Sequence, residues 1–166
     1  MTQGPHYRVP FRRRREGRTD YRVRSKLLRG GKPRVVVRKT LNQTIVQFIV
    51  PDAKGDQVLA TAQSLELKEH GWSAGTGNLP AAYLTGFLAG RRASAKGLKE
   101  SILDIGMQRP SKGGRLFAAL QGLLDAGVAV PLSKDVLPSK DRVRGVHIGD
   151  EIAKQFDVVK SKLEAS

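Results

Sequence analysis

RVVVRKTLNQTIVQFIVPDAKGDQVLAT, residues 34–61, contains three strand candidates in quick succession: Arg34–Lys39, Gln43–Val50 and Gln57–Thr61. The first two are rich in β-branched residues, which fit a pleated, half-buried surface. The connections are short: Thr40-Leu41-Asn42, then Pro51-Asp52-Ala53-Lys54-Gly55-Asp56 with its proline, glycine and aspartates. Links of that length and chemistry join neighbouring antiparallel strands, so an antiparallel meander is expected.

Toward the C-terminus the apolar period changes from two to about 3.6. Asn78-Leu79-Pro80 opens a helix with Leu84, Phe87, Leu88 and Ala95 at helical spacing, and Gly97 closes it. Ser101–Ile105 reads as a short strand. Leu116, Phe117, Leu120, Leu123 and Leu124 mark a second helix ending at Gly127, and Val128–Val130 is a last short strand. Strand, helix and strand in that order predict a right-handed parallel crossover. Ile152, Phe156, Val159 and Leu163 then predict a C-terminal helix, with acids first and lysines last as the helix dipole favours. The class is α/β on a mixed sheet, with Val35, Val37, Phe48, Leu84, Phe87, Leu120 and Leu124 as core.

Toward the N-terminus, Lys32-Pro33 and Gly30-Gly31 end a short helix that Thr19 or Asp20 caps. Only Tyr21, Leu27 and Leu28 are candidates to face inward; Arg22, Arg24, Lys26 and Arg29 make this helix basic nearly all round. Residues 1–18, MTQGPHYRVPFRRRREGR, show no apolar periodicity and predict an extended arm that orders only on a partner.

Charge follows this division. Residues 1–40 hold 14 basic and 2 acidic side chains, whereas the other 126 of the 166 hold 16 and 13. A near-neutral globule with one polycationic end points to a polyanion. Arg12-Arg13-Arg14-Arg15, extended by Arg18, Arg22, Arg24 and Arg29, offers guanidinium groups that pair bidentately with phosphate and stack on bases. Tyr7, Phe11 and Tyr21 interleave as stacking partners, which a merely solvated tail does not need. No apolar helix face accompanies the charge, which argues against a membrane surface. Two glycine-bearing loops, Gly71–Asn78 and Ser111–Arg115, lead into helices where backbone N–H groups attract phosphate; taken singly, each is better read as a plain connection.

Other classes find little support. There is no cysteine, which fits a reducing cytoplasm. The polar N-terminus followed by four arginines is not expected to be a secretory signal. His6, His70 and His147 lack ligand spacing, Asp52 and Asp56 read as turn residues, and Asp104 is alone on its strand. Two-metal nuclease chemistry needs several convergent carboxylates. Pro80 stands where a dinucleotide fingerprint needs its third glycine, and no phosphate-loop pattern occurs. The rivals weighed are an RNA-processing enzyme, disfavoured by a first strand without a carboxylate, and a chromatin-type DNA-compacting protein.

Six blocks in order then resemble the archaeal branch of the ribosomal protein L-eighteen family, whose eukaryotic relatives are called L-five. They are Val9–Tyr21, Gly31–Lys39, Thr76–Tyr83, Leu103–Gly106, Phe117–Leu120 and Arg142–Gly145. One departure is Leu132, where family members usually have histidine. The resemblance implies a mixed five-stranded sheet with helices on both faces, similar to the ribonuclease H fold without its catalytic acids, plus the basic arm. It implies a non-catalytic constituent of the large ribosomal subunit, in the cytoplasm. This constituent binds 5S rRNA and helps anchor it to large-subunit rRNA in the central protuberance, beside neighbouring large-subunit ribosomal proteins. No cofactor, metal, membrane or small-molecule substrate is expected. The expected division is an RNA-binding arm (1–18), an α/β rRNA-binding domain (19–148) and a C-terminal helix (149–166). Carried over by position, the implied RNA contacts are Arg8, Phe11, Arg12, Arg13, Arg14, Arg15 and Arg18 in the arm, then Tyr21, Arg22, Arg24 and Lys26. Arg38 and Lys39 follow on the first strand, and Gly75, Thr76, Gly77, Asn78, Lys112 and Arg115 in the two loops.

Overall fold

A computed structural model describes residues 4–165, so the first three residues of the arm and the last residue of the C-terminal segment lie outside it. The elements are α1 (Arg12–Arg15), α2 (Tyr21–Arg29), β1 (Arg34–Lys39), β2 (Thr44–Val50), β3 (Gln57–Gln63), α3 (Leu79–Ala95), β4 (Ile102–Asp104), α4 (Arg115–Asp125), α5 (Lys140–Arg144) and α6 (Asp150–Ala165). Single 3-10 turns occur at Glu66–Lys68 and Lys134–Val136.

The strands order as β3-β2-β1-β4. The meander is antiparallel, with Arg34 opposite Ile49, and β4 joins β1 in parallel, with Arg34 opposite Ile102. Between β2 and β3 the register shifts, since Phe48 pairs with Ala60 but Ile49 with Val58, which leaves Leu59 as a bulge. The expected fifth strand is not formed. Val128–Val130 contributes one parallel bridge, Glu100 to Ala129, made by Ala129 N–H donating to Lys99 O and Ser101 N–H to Ala129 O. Gly127 turns the chain with positive φ immediately before it, and Pro131 supplies no donor immediately after, so only Ala129 pairs.

Side chains alternate across β1. Val35 and Val37 are fully buried under α3 and α4, together with Val46, Phe48, Ala60 and Ala62. Most of α3 is buried, because the sheet, α4, α5 and α6 all pack on it. A helix enclosed on so many sides needs no polar face over that length. Asn78 caps it by accepting from Ala81 N–H at 2.8 Å. Backbones of α3 and α4 touch where neither helix has a side chain: a Cβ on Gly86 would stand 1.9 Å from Ala119 O, and one on Gly122 2.2 Å from Tyr83 O. The Tyr83 hydroxyl donates to Asp125 at 2.5 Å, and burial together with that carboxylate pushes its pKa well above the ordinary phenol value, so it stays protonated. Helix α6 seats Phe156, Val159 and Leu163 inward, with the Phe156 and Tyr83 rings 5.4 Å apart.

The second face of the sheet, presenting Arg34, Val36, Arg38 and Ile49, is covered by α2, the arm and the segment Ile105–Gln108. Arg34, Val36 and Ile49 are buried there, although α1 and α2 themselves bury no residue. Contrary to the expectation of an arm without structure of its own, four arginines wind into one helical turn, and the Phe11 ring rests 5.3 Å from Tyr21.

Candidate nucleic-acid interface

Helix α2 begins where Asp20 accepts from the N–H groups of Arg22 and Val23, bonds that hold its carboxyl below the ordinary range. It is tied down by a row of ion pairs. Arg24 donates to Asp56 at 2.9 Å, Asp56 accepts from Arg34 at 2.8 Å, and Arg34 donates to Asp104 at 2.6 Å. Arg34 is 2% exposed and its Nε has no partner. Burial alone would raise the Asp56 pKa, but the bonds from Arg24 and Arg34 outweigh it and hold this carboxyl below its ordinary value. Asp56 lies in the β2–β3 turn and Asp104 is the one carboxylate on β4, as read from the sequence, and both also neutralise the guanidinium buried at the start of β1. Among the described residues no three His, Cys, Asp or Glu side chains are grouped to hold a metal ion.

Between the arm, α2 and the second sheet face lies a cavity of about 470 Å³, walled by Arg13, Arg18, Arg24 and Arg38 over a floor that includes Val36 and Ile49. Of the predicted arm residues, Arg13 and Arg18 line this cavity. Arg8, Phe11, Arg12, Arg13, Arg14, Arg15 and Arg18 are all exposed, as are Arg22 and Lys26, while Tyr21 and Arg24 are half-buried. Within the arm, Glu16 pairs with Arg18 at 3.2 Å and with Arg12 at 3.8 Å, and Arg13 donates to Thr19 at 2.9 Å. Solvent-facing pairs of this kind are weak and give way readily to phosphate.

The remaining predicted residues converge at the far end of β1. Arg38 is exposed and Lys39 half-buried. Gly75–Asn78 and Lys112–Arg115 meet the β1–β2 turn there, largely through structural bonds. Arg115 Nη1 donates to the carbonyls of Gly77, Thr40 and Leu41 at 2.7, 3.0 and 3.3 Å. Thr76 donates to Asn42 O at 2.6 Å, and a Cβ on Gly77 would stand 2.4 Å from Leu41 O. Gly75 and Lys112 remain exposed.

Sequence reasoning missed Gln108. Past Asp104 no strand accompanies β1 on its β4 edge, and the Gln108 amide takes over, donating to Val37 O at 2.7 Å and accepting from Lys39 N–H at 3.1 Å. Only the fold reveals that pairing. Leu41 was also passed over, although an apolar residue in a polar turn is a legible signal; its side chain is 90% exposed.

Comparison with known proteins follows this geometry closely. A family model described as ribosomal large subunit proteins 60S L5, and 50S L18, matches residues 5–101, the stretch containing the arm, α2, the meander and α3. The large ribosomal subunit protein uL18 of Methanothrix thermoacetophila is 50% identical over 167 residues, covering 98% of this chain and 99% of that one. The uL18 of Natronomonas pharaonis is 51% identical, covering 95% and 85% of the two chains. That of Korarchaeum cryptofilum is 56% identical, covering 89% and 76%. With a basic arm and α2 that add nothing to the core, and relatives this similar along nearly its whole length, the chain belongs to the family of large-subunit ribosomal proteins 60S L5 and 50S L18, cytoplasmic constituents of the ribosome and not enzymes.

Proposed function

We propose that this protein is a structural constituent of the large ribosomal subunit that binds 5S rRNA and helps anchor it to large-subunit rRNA in the central protuberance. The observation that carries this reading is the layer formed by α1 and α2. Four consecutive arginines face solvent, and neither helix buries a side chain. Folding does not explain the exposed arginines of this layer; a polyanion does. Guanidinium groups match irregular RNA, whose phosphates and unstacked bases are both exposed. In this reading residues 1–18 are the RNA-binding arm, 19–148 the rRNA-binding domain and 149–166 a C-terminal helix. Arg8, Phe11 to Arg15, Arg18, Tyr21, Arg22, Arg24 and Lys26 form the main contact. Arg38, Lys39, the Gly75–Asn78 loop, Lys112 and Arg115 add a second at the far end of β1, and neighbouring ribosomal proteins complete the surroundings. The sheet order, continued by the Glu100–Ala129 bridge as a rudimentary fifth strand, supports the ribonuclease-H-like arrangement.

Filter binding of 5S rRNA, with duplex DNA as competitor, tests the proposal. The expected result is preference for 5S rRNA, with log affinity falling by about 0.7–0.9 per contacted phosphate for each decade of salt. A slope near zero, or equal binding of duplex DNA as a chromatin-type protein would show, overturns it.

A further inference from the structure

The β1–β2 turn is held more firmly than a surface turn requires. Thr40 N–H donates to Gln43 O at 2.8 Å, and Gln43 N–H donates to Thr40 Oγ1 at 3.0 Å, which closes it from within. From outside, the carbonyls of Thr40 and Leu41 accept from Arg115, and that of Asn42 accepts from Thr76. The absent Cβ of Gly77 lets one backbone rest on the other. At the apex of this clamped turn Leu41 is 90% exposed, more than any other large apolar side chain among the described residues. Single exposed leucines are ordinary on protein surfaces. This one differs because its backbone is immobilised from two other parts of the fold.

The segments around the turn, residues 38–43, 74–78 and 105–116, contain Arg38, Lys39, Arg109, Lys112 and Arg115 and no acidic residue. An apolar tip within a purely cationic surround suits a nucleic acid better than a protein, because cations take phosphates while the tip meets a base face. Paired RNA buries its bases and its deep groove excludes side chains, so the base must be unstacked.

We propose that the Thr40–Gln43 turn is a rigid finger that sets Leu41 against an unstacked base of the rRNA. This rests on the rRNA-binding reading above. The base lies flat on the isobutyl group, the flanking lysines and arginines hold its phosphates, and the clamp removes the ordering cost that a mobile loop would add on binding.

The test uses the full chain, titrated separately with 5S rRNA and with large-subunit rRNA. Leu41→Ala leaves the thermal midpoint unchanged and weakens binding to one of the two RNAs about tenfold, or about 1.4 kcal/mol. The salt slope stays the same, because no charge has been removed. Leu41→Trp keeps the affinity, and its indole emission is quenched when that RNA is added, since an aromatic ring stacks on a base. Wild-type affinity of Leu41→Ala for both RNAs, or an unquenched indole, overturns the finger while leaving the rRNA reading intact. Failure of the wild-type chain to bind 5S rRNA removes the rRNA reading instead, and the finger with it.

Discussion

Gly86→Ala sets two physical effects of opposite sign against each other. In a helix interior, replacing glycine by alanine gains up to about 1 kcal/mol of intrinsic propensity. Here the new methyl would stand 1.9 Å from the carbonyl oxygen of Ala119 and 2.7 Å from its carbon. Those are backbone atoms of α4, so no side chain can swing aside. Reaching 3.0 Å, below which real Cβ contacts essentially never fall, requires α3 and α4 to separate locally by over 1 Å. Overfilling a packed core costs about 1–3 kcal/mol, and a clash with rigid backbone belongs at the upper end. Offsetting about 3 kcal/mol by about 1 leaves a net loss of about 2 kcal/mol. In a chain of this length that lowers the thermal midpoint by about 4–8 °C. Calorimetry or urea unfolding of the variant measures it, with Gly75→Ala, at an exposed glycine with open space for a Cβ, as a surface control. A midpoint that rises, as helix propensity alone dictates, would refute the claim that α3 and α4 are held at backbone contact.

Three further outcomes are expected. Deleting residues 1–18 shifts the thermal midpoint little, since that segment buries no core residue, and weakens 5S rRNA binding by well over tenfold, about 1.4 kcal/mol; equal tryptic cleavage of the arm with and without RNA would count against the arm as an RNA-contacting segment. Arg115→Met lowers stability by about 1 kcal/mol and speeds amide exchange at Gln43, because three carbonyls lose a charged donor; an unchanged midpoint would make Arg115 an RNA contact alone. Because the folded Asp56 carboxyl lies below its ordinary value, its contribution is complete at neutral pH and is lost as pH falls through about 4 toward the folded value. Asp56→Asn therefore loses less midpoint than wild type between about pH 6 and 3, and its α2 is cut faster by trypsin at neutral pH.

Much of the fold is legible because its signals are local. β1 ends at the residues its β-branched run marks, and Asp20 and Asn78 cap the helices they were expected to cap. The short pieces, α1, α5 and the two 3-10 turns, have too few residues to show a period. Arg34 illustrates a deeper limit. It opens a strand as an exposed cation would, yet it is buried by carboxylates 22 and 70 residues away. In the candidate interface, the chemistry of the arm is evident from composition. The duties of Thr76, Gly77 and Arg115 are not, since the carbonyls they meet lie some 34 to 75 residues distant. Leu124, expected in the core, is only half-buried, because α4 turns Leu120 and Leu123 inward and leaves Leu124 toward the margin.

The parallel pairing of β1 with β4 sets a timetable for synthesis. Arg34 leaves the peptidyl transferase centre 68 residues before Ile102, its partner on β4. At roughly 5–20 residues per second, that is an interval of about 3–14 s. Throughout it the nascent chain trails a polycationic segment and an unpaired strand edge rich in valine, and such edges are templates for mispairing. The buried guanidinium of Arg34 waits equally long for Asp104. The first hazard this protein meets is therefore during translation, when its cationic end is already free to engage any nearby RNA and the sheet behind it is still open along one side.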